Sequence, residues 1–325
     1  MSTNDTSVPD KIGNTVNAND SGPTNRSKNV SEFMFVIFQY MFAVLTPAII
    51  IGGVAERVRL IPILIFIFIW STLVYDVIAS WCWSAHGWYV TLGGLDFVGG
   101  TPVHILSGAA AFAYCLIVDN CDIPSPRDVR SHNVVNVILG TALLWFGWFG
   151  FNAGSTIATN KRAIMASIVT NLSASISGLT WMFMDYRFER KLYAVSFCSG
   201  IIAGLVVITP GAGYVDSYTA VAYGIVGSMA CNLASKVKLR LNYDDTMDVF
   251  AVHSVSEFIG NILTGIFADK ILNVILFRHN FNHSLHYENN YQKFDFDLWL
   301  TKEAEIEGTD KAKYGESAYC FDDIP

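Results

Sequence analysis

Apolar residues in this chain gather into long runs separated by short polar breaks, without the two-residue alternation of a half-buried strand. Eight runs approach or exceed the ~20 helical residues that cross roughly 30 Å of hydrocarbon: 33–55, 60–82, 97–118, 133–157, 163–184, 192–213, 217–234 and 249–268. Six of them hold no Asp, Glu, Lys or Arg, and the other two hold one acid each, Asp76 and Glu257. Backbone amides in lipid must be satisfied within the segment, so runs of this length predict helices. The expected fold is all-α, a polytopic transmembrane helical bundle over 32–268. It lies between a polar, Asn/Ser/Thr-rich tail at 1–31, expected to be disordered, and a polar C-terminal tail at 269–325.

Composition agrees with the pattern. Hydrophobic residues make up 52% of the chain and charged ones 15%, which excludes an ordinary soluble domain. Basic residues sort by loop: Arg57, Arg59, Arg127, Arg130, Arg187, Arg190, Lys191, Lys236, Lys238 and Arg240 fall on one side, Lys161 and Arg162 on the other. The positive-inside tendency makes the first set cytoplasmic and puts the start of the chain outside, with Arg26 and Lys28 pulling weakly the other way. The Asn-x-Ser/Thr triplets at Asn4, Asn19, Asn25 and Asn29 would then be glycosylation acceptors. Cys82, Cys115, Cys198 and Cys231 have no framework spacing and read as small packing residues. The net charge of -7 comes mainly from the tails, and with no phosphate-cradling loop or basic patch there is no expectation of nucleic acid.

Two residues stand out chemically. His104 and His253 each sit inside an apolar run, each preceded by valine and led into by an aspartate. An imidazole is costly in hydrocarbon and usually faces a pore or a partner. The two have no third His or Cys at zinc spacing, so no metal and no enzyme activity are expected. Phe38 and Phe42 lie one turn apart, and Trp83 sits where the second run leaves the membrane. These aromatics suit either a cup for a cation or an interfacial belt. Gly147, Gly150 and Gly154, and Gly200 with Gly204, are spaced for close helix packing.

The ordered motifs resemble those of ammonium transporters of the Amt/Mep/Rh family. Phe38-Gln39-Tyr40-Met41-Phe42-Ala43 through Thr46-Pro47-Ala48 and Ala55-Glu56-Arg57 is similar to one span, and Asp96-Phe97-Val98-Gly99-Gly100-Thr101-Pro102-Val103-His104 to the most recognisable motif. Trp145 through Ser155, Ile208-Thr209-Pro210 with Gly213-Tyr214-Val215, and Asp244-Asp245 with Asp248 through His253 match further blocks in family order, from about 32 to 268. The resemblance implies an inverted repeat, a homotrimer, no cofactor, and transport of ammonium or methylammonium across a bilayer, expected to be the plasma membrane. It implies that Phe38 and Phe42 act as gating aromatics, and that Trp83 and Ser155 recruit the cation. Asp96 becomes a structural and electrostatic acid, His104 and His253 pore imidazoles, and Trp148 and Phe151 pore-wall aromatics.

The chain also departs from the family pattern. It shows about eight spans of an eleven-span fold: the two expected before residue 32 are replaced by polar sequence and the last is missing, yet stretches at 303–310 and 314–319 resemble the family's cytoplasmic tail. Where the pattern reads His-Gly-Val-Gly-Gly, this chain has His253-Ser254-Val255-Ser256-Glu257, expected to crowd a close helix contact, with Glu257 on the face of His253. Asp76 is likewise outside the pattern. The alternative to transport is a non-conducting member that senses ammonium or joins mixed trimers with full-length subunits and modulates them.

Overall fold

The computed structural model describes residues 30–55, 58–84, 86–118, 133–241 and 243–268. The expected tails at 1–31 and 269–325 therefore lie outside the described residues, apart from Val30 and Ser31. Every described element is helical, as the apolar runs predict. Helix α1, Glu32–Val54, starts at Ser31, whose hydroxyl accepts from the Met34 amide. Helices α2 (Leu60–Trp70) and α3 (Asp76–Trp83) form one rod through a π-helical turn, Ser71–Tyr75. A short α4, Trp88–Thr91, follows, and then the π-helical turn Thr101–Ile105 leads into α5, Leu106–Ile117. Next come α6 (Val134–Asn152), α7 (Lys161–Glu189), α8 (Ala194–Ile208), α9 (Ser217–Ser235) and the short α10 (Val237–Leu241). A π-helical stretch, Phe250–Val255, runs into α11, Ser256–Phe267.

All eight expected runs are thus helical, and six rods among the described residues are long and apolar enough to cross a membrane. The protein is an integral membrane protein. The run from 97 becomes helix only at Thr101, because Gly99 turns with φ +87 and Asp96 caps the amides that follow. It leaves Thr101–Ile117 as a shorter apolar helix. α9 has the length but mixes in Ser217, Thr219, Gly224, Gly227, Ser228 and Asn232, polar and small residues that suit a helix buried among others. Conversely, α7 extends past the expected 163–184, from the Asn160 cap to Arg190 at φ 57.

Small residues let the core helices approach at Gly200 and Gly204 as expected, but not at Gly147 and Gly150, whose added Cβ atoms would meet nothing within 4 Å. A Cβ on Gly204 would meet the Ser173 carbonyl oxygen at 2.6 Å and the Ala174 α-carbon at 2.9 Å, so α7 and α8 touch backbone to backbone. Serines supply hydrogen bonds across these contacts: Ser173 donates to the Gly204 carbonyl at 2.8 Å and Ser228 to that of Ser177 at 2.9 Å. The expected crowding by Ser254 and Ser256 is corrected by the same device. Ser254 donates to the Ile105 carbonyl and Ser256 to that of Ala203, both at 2.7 Å, so each hydroxyl bonds across its crossing. Among the described residues, Cys82, Cys115, Cys198 and Cys231 are buried. Asp76 is exposed beside Leu73 and Val77, which are exposed as well.

Candidate functional site

Two symmetric caps set the stage. The Asp96 carboxylate accepts from the amides of Gly99, Gly100 and Thr101 at 2.8 to 2.9 Å and opens the π-helical turn carrying His104. Asp245 accepts from the amides of Val249 and Phe250 at 2.9 Å and opens the π-helical stretch carrying His253. Each aspartate stands eight residues before its histidine. Burial raises the Asp96 carboxyl above its ordinary value, and the Thr101, Gly100 and Gly99 donors pull it back down. Asp96, expected as a structural and electrostatic acid, stands at the head of the turn that carries His104.

The π-helical stretch of His253 packs on the start of α5, just past the turn of His104, where Gly108 lies against Ser254, whose amide nitrogen would be 2.7 Å from an added Cβ. This contact brings the imidazoles together, with His104 Nδ1 3.3 Å from His253 Nδ1 and the rings 5.3 Å apart. One nitrogen of the pair donates and the other accepts, so the two neutral rings carry their protons on opposite kinds of nitrogen. His104 is fully buried, and its Nε2 has no hydrogen-bond partner. Trp148 lies parallel to it, centroids 5.3 Å apart at 11°, and Phe151 stands 5.7 Å away.

An aromatic cluster is built on the same Phe151. Phe42 stacks on Phe151 at 4.8 Å and 27°, meets Trp83 edge-on at 5.5 Å, and meets Phe38 edge-on at 4.9 Å. The sequence pairs Phe42 with Phe38 because they are one turn apart, yet its face-to-face partner is Phe151 on α6. Ser155, just past α6, is half-buried and gives its hydroxyl proton to the Phe151 carbonyl at 2.7 Å. Its neighbour Gly154 faces Phe38, 3.5 Å from where a Cβ would stand. All nine expected site residues thus fall into one connected set, except that Asp96 reaches it through the Gly99 turn, against which Trp83 packs.

The decisive comparison is of sequence. The profile of the Ammonium Transporter Family matches residues 4–296. The chain belongs to the ammonium transporter family. It is 39% identical over 331 residues to ammonium transporter 1 of Schizosaccharomyces pombe, covering 93% of this chain and 66% of that protein. It superposes on the crystal structure of Candida albicans Mep2 with a TM-score of 0.71 at 45% identity, covering 76% of this chain and 55% of that one. A solved protein described as a sensor Amt protein gives a TM-score of 0.70 at 30% identity, covering 91% and 80%. The family member described here therefore spans about half to two thirds of the length of the curated relatives it matches.

Several residues that the sequence reading passed over hold this family member's site in place. Thr209, in the Ile208-Thr209-Pro210 block, accepts from Trp148 Nε1 at 3.1 Å and bonds Asn152 Oδ1 at 3.4 Å, while Asn152 gives Nδ2–H to Thr170 at 2.9 Å. Asp245 was legible from its repeat of the Asp96-to-His104 spacing; Thr209 and Asn152 carried only the signal of polar residues inside apolar runs. On the face of the Lys161–Arg162 loop, the Arg162 guanidinium lies 4.9 Å from the ring centres of both Phe97 and Tyr214 and its Nε donates to Gly213 at 2.9 Å. Glu257, expected on the face of His253, has its carboxyl against the α-carbon of Gly100.

Proposed function

We propose that this chain moves ammonium nitrogen across a membrane, recruiting the cation at Phe38, Phe42, Trp83 and Ser155 and passing neutral ammonia along His104, His253, Trp148 and Phe151. One observation carries the reading: His104 Nε2 is buried with no partner between aromatic faces, while its other ring nitrogen is engaged by His253. A buried polar atom left without a partner costs stability, and a small polar solute passing that point restores its hydrogen bond. At the cluster, ring faces attract a cation, and the Ser155 hydroxyl, its proton committed to Phe151, keeps lone pairs for an ammonium N–H. A proton returned there to the outer water leaves ammonia, which apolar walls admit where a hydrated ion is refused. The stacked Phe42 and Phe151 rings block that route and must part for passage.

Family relatives named as ammonium transporters support the substrate class. The proposal includes a homotrimer, or a mixed trimer with full-length members, in the plasma membrane, with no cofactor and no enzyme activity. The test is methylammonium uptake by the chain in a transporter-deficient cell. Cation-π attraction of ~0.5–2 kcal/mol corresponds to a ~2- to 30-fold rise in the half-saturating concentration for Trp83→Leu, with the saturated rate less affected. An unchanged concentration dependence refutes the recruitment role. The likeness to a sensor Amt protein favours a second reading, in which the chain binds ammonium without conducting. Methylammonium binding to the purified chain without uptake is the result that selects it.

A further inference from the structure

Glu257 lies in the first turn of α11, fully buried, and its carboxyl occupies the position into which a Cβ on Gly100 would project. Neither carboxyl oxygen has a hydrogen-bond partner. One turn along the same helix face, Asn261 gives its Nδ2–H to Thr101 Oγ1 at 3.1 Å and leaves its own Oδ1 buried without a partner. Three orphaned acceptors thus lie within one turn of α11, on the residues that pack against Gly100 and Thr101. The amides of those two residues are already given to Asp96, at 2.9 and 2.8 Å, so they offer no donor. Among the described residues, the other ionisable groups coupled to Glu257 are Asp96 in the loop and the neutral phenols of Tyr89 on α4 and Tyr223 on α9, none of them a cation.

Buried oxygens that lack both a donor and a positive neighbour have the chemistry of a cation site. A single uncompensated carboxylate, with Asp96 already held by three amides, balances one positive charge; a divalent ion would leave net charge at membrane depth. The geometry points to the orphaned oxygens of Glu257 and Asn261 as a site for one dehydrated monovalent cation, ammonium or an alkali ion, between α11 and the turn that carries His104. It is separate from the aromatic cluster and does not rest on transport. The Asp96–Thr101 turn lies between the two, with Trp83 packed on Gly99 and Glu257 on Gly100, so occupancy stiffens the seat of Trp83.

The experiment is thermal unfolding of the purified full chain in detergent at constant ionic strength, in choline, sodium, potassium and ammonium chloride. The midpoint is expected to rise saturably with at least one of the three small cations over choline. Glu257→Gln is expected to abolish that rise and Asn261→Ala to raise the half-saturating concentration about tenfold through loss of one neutral ligand, while Gly147→Ala, with nothing within 4 Å of its Cβ, leaves it in place. Equal midpoints of the wild-type chain in all four salts would mean that a proton or packing alone closes the site, which overturns the proposal. A response that survives Glu257→Gln but vanishes with Trp83→Leu overturns it too, because the ion then sits at the aromatic cluster. Should Glu257→Gln fail to fold, an unshifted response in Asn261→Ala refutes the site by itself.

Discussion

Thr209→Val isolates the hydrogen bond that orients Trp148. Valine keeps the branched shape of threonine but removes the oxygen that receives the Trp148 indole N–H at 3.1 Å and bonds Asn152 Oδ1 at 3.4 Å. Thr209 and Asn152 are fully buried and Trp148 is 4% exposed, so water cannot replace the lost acceptor. An orphaned buried donor costs ~1–3 kcal/mol, whereas the Thr209 bond to the Leu205 carbonyl is lost with its own donor and leaves only an under-satisfied carbonyl. The expected result is a lower unfolding midpoint in detergent equivalent to ~1–3 kcal/mol, together with a changed tryptophan emission as the indole swings from its parallel seat on His104. Thr209→Ser, which restores the oxygen, is expected to recover both, and uptake of methylammonium should follow the same order. If valine and serine give the same midpoint and the same emission, Thr209 does not position Trp148, and the argument from orphaned donors fails here.

Two further outcomes test the packing and the charges. Gly204→Ala places a methyl within 2.5 to 2.9 Å of Ser177, Ser173 and Ala174, so α7 and α8 must separate; overpacking of this kind costs ~1–3 kcal/mol, and the unfolding midpoint should fall while Gly147→Ala, with nothing within 4 Å of its Cβ, leaves it unchanged. Asp248→Asn tests a half-buried acid, at φ 54, paired with Lys238 at 2.7 Å. Burial raises this carboxyl and Lys238 lowers it, with the net direction upward. A raised folded-state value means that its contribution to stability is full below the unfolded value near ~3.9 and is lost as pH rises through the folded one. The asparagine variant tolerates the left-handed backbone, should stay within about 1 kcal/mol of the parent, and should gain relative stability as pH rises above about 4. A midpoint series that drifts the opposite way would show the Lys238 pair outweighing burial.

Sequence alone determined which segments are helical, because a backbone in lipid has no partner but itself and a run of ~20 apolar residues leaves one solution. It also singled out His104, His253, Trp148, Phe151 and the outer aromatics as one candidate set, since the motifs that carry the family resemblance are local and long. Where a helix begins or ends inside such a run was not legible: the Asp96 carboxylate, three residues back from the first capped amide, moved the start from 97 to Thr101. Partners across helices were decided by the tertiary structure alone. Phe42 has Phe38 one turn away on its own helix, but its stacked partner, Phe151, comes from α6, far along the chain. Glu257 shares a helical face with His253, yet side chains project toward the preceding turn and the bare α-carbon of Gly100 left a space that the carboxyl fills. Ser254 and Ser256, which as larger residues in place of glycine should crowd their contacts, instead find carbonyls on neighbouring helices, because a hydroxyl that is bulk in sequence becomes a donor once a second backbone lies within 2.7 Å.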